Sequence, residues 1–82
     1  MTYSEVETTV KDVLAKQLTM EAGKINLDSR LVEDLGVDSF GSVEIAFELE
    51  EKFDLKIPDA ALYEAKTVKD ITDYIASQKI TI

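Results

Sequence analysis

Apolar residues in the first quarter of the chain recur at helical spacing. Val6, Val10, Val13, Leu14 and Leu18 share one face and predict a helix over residues 5–18. Ser4 and Glu7 form an S-x-x-E pair that reads as its capping box, and Gly23 follows its expected end. Residues 19–38 lose the period but keep Ile25, Leu27, Leu31, Val32, Leu35 and Val37. This stretch therefore reads as a long connection that packs back onto the helices, with a helical turn at Leu31–Leu35. Connections of this length in compact domains are usually functional. The period returns over 39–53, where Phe40, Val43, Ala46, Phe47, Leu49 and Phe53 fit one broad apolar face. Glu44, Glu48 and Glu51 recur at i, i+4 and i+7 and form a separate acidic stripe. Pro58 turns Ile57 away from helical geometry and is followed by a short turn over 60–64. Thr67, with Asp70 three residues on, opens a last helix with Val68, Ile71, Tyr74 and Ile75 inside. Lys79-Ile80-Thr81-Ile82 has strand propensity but reads as a frayed terminus. The expected fold is all-α: a small four-helix bundle, three main helices and one short one, with a long loop between helices 1 and 2.

The 82 residues are read as a single domain, 1–82, with a thin core. Of the net charge of −8, residues 28–59 carry −7 and the remainder −1. So acidic a segment repels nucleic acid and anionic lipid and attracts basic protein surfaces. No apolar run is long enough to span a bilayer, and the N-terminus carries no secretory signal, so a cytoplasmic location is expected. With neither cysteine nor histidine, the chain lacks the usual nucleophile–base pairs and zinc ligands. No P-loop or dinucleotide fingerprint is present. From Asp28, an EF-hand register would place Arg30 and Glu33 where an oxygen ligand and a glycine belong. No metal site and no catalytic residue are expected. The clusters Glu33/Asp34/Asp38 and Glu50/Glu51/Asp54 offer at most weak charge relief to a divalent cation.

The chemistry that remains is attachment. Asp38 and Ser39 stand where a loop becomes a helix, and either is an ordinary N-cap. The first turn of a helix also presents free N–H groups and the positive end of the dipole, which suits a covalently attached phosphate on Ser39. Asp38 opposes a reversibly bound anion more than it opposes a covalent phosphodiester. Gly36 and Gly41 leave room for a second protein to approach.

The run Leu31-Val32-Glu33-Asp34-Leu35-Gly36-Val37-Asp38-Ser39-Phe40 resembles the prosthetic-group site of acyl carrier proteins, whose usual core is D-S-L. The resemblance continues through Val43-Glu44-Ile45, Leu49-Glu50-Glu51-Lys52-Phe53, Ile57-Pro58-Asp59 and Thr67-Val68-Lys69-Asp70-Ile71 with Tyr74-Ile75, covering about residues 28–76. It implies a non-enzymatic, monomeric carrier. A phosphopantetheinyl transferase would move 4′-phosphopantetheine from coenzyme A onto Ser39, with Asp38 as the flanking motif residue. The imported thiol would carry acyl groups as thioesters in fatty-acid, lipid or related biosynthesis. Acyl-transferring or chain-elongating enzymes would dock through basic patches on Glu44, Glu48, Glu50, Glu51 and Asp54. Phe40 in place of leucine, and Gly41 where an acidic or polar residue is common, also resemble specialised carriers. A D-alanyl-type or polyketide carrier using the same Ser39 arm is the alternative. Phe40 and Phe47 are further expected to narrow any acyl-binding space between the helices.

Overall fold

The computed structural model describes residues 2–79, without the side chains of Asp59 and Leu62. Four α-helices follow one another: α1 Tyr3–Leu18, α2 Ser39–Phe53, α3 Asp59–Glu64 and α4 Val68–Lys79, with a 3₁₀ turn at Ala22–Lys24 between α1 and α2. This is the expected all-α arrangement of three main helices and one short one. The segment Ile80–Ile82, read above as a frayed end, lies outside the described residues, while Lys79 closes α4.

The helix α1 starts two residues earlier than its apolar period suggests. Its capping box is Thr2 with Glu5, not Ser4 with Glu7: Thr2 Oγ1 accepts from Glu5 N, and Glu5 Oε1 accepts from Thr2 N. Ser4 and Glu7 fall inside the helix, where Glu7 pairs with Lys11 at 2.6 Å. Both pairs satisfy the S/T-x-x-E spacing, and Tyr3 decides between them. Its ring packs against the core and its hydroxyl donates to Asp73 on α4, contacts made with Tyr3 as the first helical residue, which favour the earlier cap. The helix ends on Thr19 in the left-handed conformation, φ 54°, with its N–H on the Ala15 carbonyl. Gly23 lies beyond, inside the 3₁₀ turn.

The core forms where α1 packs on α2 and α4. Val6, Val10, Val13 and Leu14 of α1 meet Ile45, Leu49 and Phe53 of α2 and Val68, Ile71, Ile75 and Ala76 of α4. The long connection contributes Ile25, Leu31 and Val37 to this core, with Leu27 and Leu35 half-buried, whereas Val32 points outward. Its backbone is tied to the start of α4. The Val68 and Lys69 N–H groups, which have no acceptor within their own helix, donate to the carbonyls of Ser29 and Leu27 at 3.1 and 2.9 Å. Leu31 N–H donates to Lys66 O at 2.9 Å. Burial of its apolar side chains and these bonds explain how an irregular segment of this length keeps one path.

Candidate functional site

The turn before α2 is built around Arg30 and Asp34. The Asp34 carboxylate accepts from Arg30 N at 2.8 Å and pairs with the guanidinium at 3.2 Å. The guanidinium bond and the Arg30 N–H hold the Asp34 carboxyl below its ordinary range. The Leu31–Leu35 turn closes with Val37 N–H on the Leu31 carbonyl at 2.8 Å. Gly36 adopts φ +72°, a region that side-chain-bearing residues seldom occupy. The chain then enters α2 at Asp38, which is the N-cap: its Oδ1 accepts from Gly41 N at 2.6 Å and its carbonyl from Ser42 N at 2.9 Å.

Ser39 is the first residue of the helix and is exposed. Among the described residues its hydroxyl makes no hydrogen bond, and its carbonyl accepts from Ser42 Oγ at 2.8 Å. The site thus presents a free hydroxyl on a fixed backbone at the positive end of a 15-residue helix. The cap engages the Gly41 amide, while those of Ser39 and Phe40 have no acceptor among the described residues. A phosphodiester on Ser39 Oγ fits this arrangement without displacing a core side chain.

Gly41 has a more specific reason to be glycine than room for a partner. A Cβ built there would lie 3.1 Å from Asp38 Oδ1, closer than ordinary van der Waals contact. The tight cap and the missing side chain go together.

The expected acidic surface separates into different roles. Glu44, Glu51 and Asp54 are exposed on the outer side of α2. Glu48 stands at the inner edge of that side: it is half-buried and leans toward α1, with Oε1 3.7 Å from Lys16 Nζ. The Glu50 carboxylate turns back to accept from Ile57 N at 2.8 Å, pinning the link between α2 and α3. No group of three acidic side chains among the described residues is placed to hold a metal ion.

The apolar face expected for α2 also divides. Ala46, Leu49 and Phe53 are buried, joined by Ile45, which the sequence reading of that face omitted. Phe40, Val43 and Phe47 are 73%, 61% and 62% exposed. At 100° per residue these three lie together on the side opposite Ile45 and Leu49, so one helix cannot bury both sets. The expectation that Phe40 and Phe47 narrow an inner acyl space is therefore overturned, since both rings point outward. Two small apolar crevices do lie inside. One is lined by Leu31, Val37, Ser42, Ile45, Ala65 and Ile71, one turn from Ser39. The other lies between Leu49, Ile57, Tyr74 and Ile75, and Ala65 and Ile71 border both. Each offers about 20 Å³, room for roughly one water-sized probe, so a longer chain would enter only if the helices part.

A family model described as "Phosphopantetheine attachment site" matches residues 8–75. The chain is 44% identical over 70 residues to an acyl carrier protein of Helicobacter hepaticus, covering 85% of this chain and 92% of that one. It is 46% identical over 66 residues to one from Aster yellows witches'-broom phytoplasma, covering 80% and 87%. A solved structure from Mycobacterium tuberculosis, assigned to the acyl carrier proteins, superposes with a TM-score of 0.84 at 30% identity, covering 89% and 97%.

Proposed function

The chain belongs to the acyl carrier protein family, and on that premise we propose that Ser39 is the residue that receives 4′-phosphopantetheine. The family's function is carriage: the covalently attached group supplies a terminal thiol that bears acyl groups as thioesters. The observation that carries the assignment to Ser39 is its exposed, unbonded hydroxyl at the first position of α2, inside the matched segment. During transfer the Ser39 Oγ–phosphorus bond forms as the pyrophosphate bond of coenzyme A breaks, and adenosine 3′,5′-bisphosphate leaves. The hydroxyl proton passes to a base on the transferase, the Asp38 carboxylate being engaged in capping Gly41 N. Asp38 holds the helix start rigid while this happens and keeps Gly41 N occupied. The chain itself catalyses nothing in this reading. It presents the arm, and its partners do the chemistry.

Partner enzymes dock on the outer side of α2 through basic surfaces that meet Glu44, Glu51 and Asp54. Glu48 lies at the edge of this face, and Glu50 supports it from behind. Exposed charges of this kind speed encounter and give salt-sensitive complexes, which suits a carrier that must leave each partner. No helix among the described residues is long and apolar enough to cross a membrane.

Intact mass after incubation with coenzyme A and a broad-specificity phosphopantetheinyl transferase tests the attachment. One addition is expected in the wild-type chain and none in Ser39→Ala, with circular dichroism confirming that both are folded. An addition that persists in Ser39→Ala, or its absence from the folded wild-type chain, overturns the assignment.

A further inference from the structure

Phe40, Glu44, Phe47 and Glu51 follow one another along α2 at spacings of four, three and four residues. That spacing puts them in one line on the helix surface, about 16 Å long, with aromatic ring and carboxylate alternating. All four are exposed. Among the described residues neither Glu44 nor Glu51 has an ion-pair partner. Val43 widens the apolar part, and Asp54 extends the acidic end. Phe47, Glu51 and Asp54, with Lys56 at the edge, wall an open hollow of about 390 Å³. Two phenylalanines exposed within eight residues are costly in water, and an apolar patch rimmed by charge marks an interaction surface.

We propose that this ladder selects partners that present arginine rather than lysine, with Phe40 and Phe47 as the specificity-determining residues. The inference rests on the docking role given above to the outer side of α2. A guanidinium is planar, weakly hydrated and forked. It stacks on a ring face while bonding the adjacent carboxylate, so each step of the ladder offers it both contacts at once. An ammonium is a compact, strongly hydrated point charge, which gains the carboxylate but less from the ring, since it cannot stack flat on it. The carboxylates alone attract any cation with a small preference for the forked guanidinium, and the alternation with rings creates most of the discrimination. The occupant is a basic, arginine-bearing helical segment of a partner enzyme, whose charge complements the −7 carried by residues 28–59.

Two fluorescent amphipathic helical peptides test this, identical except that every basic residue is arginine in one and lysine in the other. They are titrated by anisotropy, at low ionic strength, against the full chain already loaded through coenzyme A and transferase. The wild-type chain is expected to bind the arginine peptide about tenfold more tightly. In Phe40→Leu/Phe47→Leu, which keeps the patch apolar, the ratio is expected to fall to about two, left by bidentate bonding to the carboxylates. Glu44→Gln should weaken both peptides and lower the ratio only modestly, leaving it above that of the double leucine variant. An arginine-to-lysine ratio near one in the wild-type chain overturns the proposal, as does a ratio that survives in the double leucine variant or no binding of either peptide. The loading step is read separately by mass before any peptide is added. Failure at Ser39 is thereby distinguished from failure of the ladder, which the unloaded chain can still be used to test.

Discussion

At Asp38 and Gly41 two side-chain choices are coupled through one short contact. Asp38 Oδ1 lies 2.6 Å from the Gly41 amide nitrogen and 3.1 Å from where a Gly41 Cβ would stand. Asp38→Ala removes an N-cap and is expected to cost about 1 kcal/mol in urea unfolding. Gly41→Ala alone should gain less than the ordinary propensity difference of up to about 1 kcal/mol, because the new methyl group crowds the carboxylate. In the Asp38→Ala background the same change should recover that gain. A double-mutant cycle measures the coupling, and strict additivity of the two changes would show that the methyl group displaces nothing. That α2 starts at the Asp38-Ser39 pair was legible in the sequence, from residue type beside a returning helical period; which of the two is the cap was settled by the structure, where Asp38 takes that place. The reason for Gly41 was not legible. It depends on where one carboxylate oxygen sits to a few tenths of an ångström, which no residue pattern encodes. The end of α1 at Leu18 was legible from the last periodic apolar residue, but the form of its cap was hidden for a related reason. The cap is Thr19, a β-branched residue in left-handed geometry, which composition argues against, while the more conventional Gly23 lies four residues further on.

Element by element, the helices were legible and the orientation of α2 was only half so. Its bounds follow from the returning period, but six apolar positions were folded into one face where the structure makes two. Glu50 shows the same ambiguity from the polar side. As one acid among several it reads as docking charge, yet its carboxylate accepts from Ile57 N–H at 2.8 Å across the α2–α3 link. That link begins at Asp54 in left-handed geometry, φ 52°, and ends at Pro58, so few backbone bonds hold it otherwise. Glu50→Ala is therefore expected to speed hydrogen exchange at the Ile57 amide by at least about tenfold, with about 1 kcal/mol lost from global stability. Glu51→Ala, one position along on the outer side, should leave that amide unchanged while weakening binding to basic peptides. Equal protection of Ile57 in the two variants would return Glu50 to the docking surface. The start of α4 was better specified. Thr67 and Asp70 cap each other across three residues, Asp70 N on Thr67 Oγ1 at 3.3 Å and Thr67 N on Asp70 Oδ2 at 3.1 Å. Reciprocal bonds of that kind follow local spacing, which identifies them here, where one pair fits, and not at α1, where two overlapping pairs did.

Across the whole molecule, the first and last helices are joined by one polar contact that no local pattern announces. The Tyr3 hydroxyl donates to Asp73, seventy residues away, and Asp73 also accepts from Lys69 Nζ at 2.7 Å. The neighbouring carboxylate, acting mainly through this hydrogen bond, pushes the Tyr3 hydroxyl up to about 12 from its usual 10.0. The folded chain thus keeps a proton that the unfolded chain gives up first. The stabilisation is complete below about pH 10 and is lost as pH rises toward 12, because there the unfolded state binds fewer protons than the folded one. The acid limb runs the other way. Lys69, then Tyr3, hold the Asp73 carboxyl below its ordinary range, and the Lys66 and Thr67 amides do the same for Asp70. Their stabilisation is complete above about pH 4 and is lost as pH falls through the lowered values. Tyr3→Phe keeps the ring in the core and removes only the hydroxyl, so it should cost about 1 kcal/mol at pH 7, the contact being only partly buried. Its distinguishing consequence is on the alkaline side. Urea unfolding between pH 9 and 12 should show wild-type stability falling toward that of the variant, the two converging near the top of the range. Lysine titration contributes a slope common to both chains and cancels in the difference. A gap between them that stays constant from pH 7 to 12 would mean that the hydroxyl stabilises by packing and that no proton links α1 to α4.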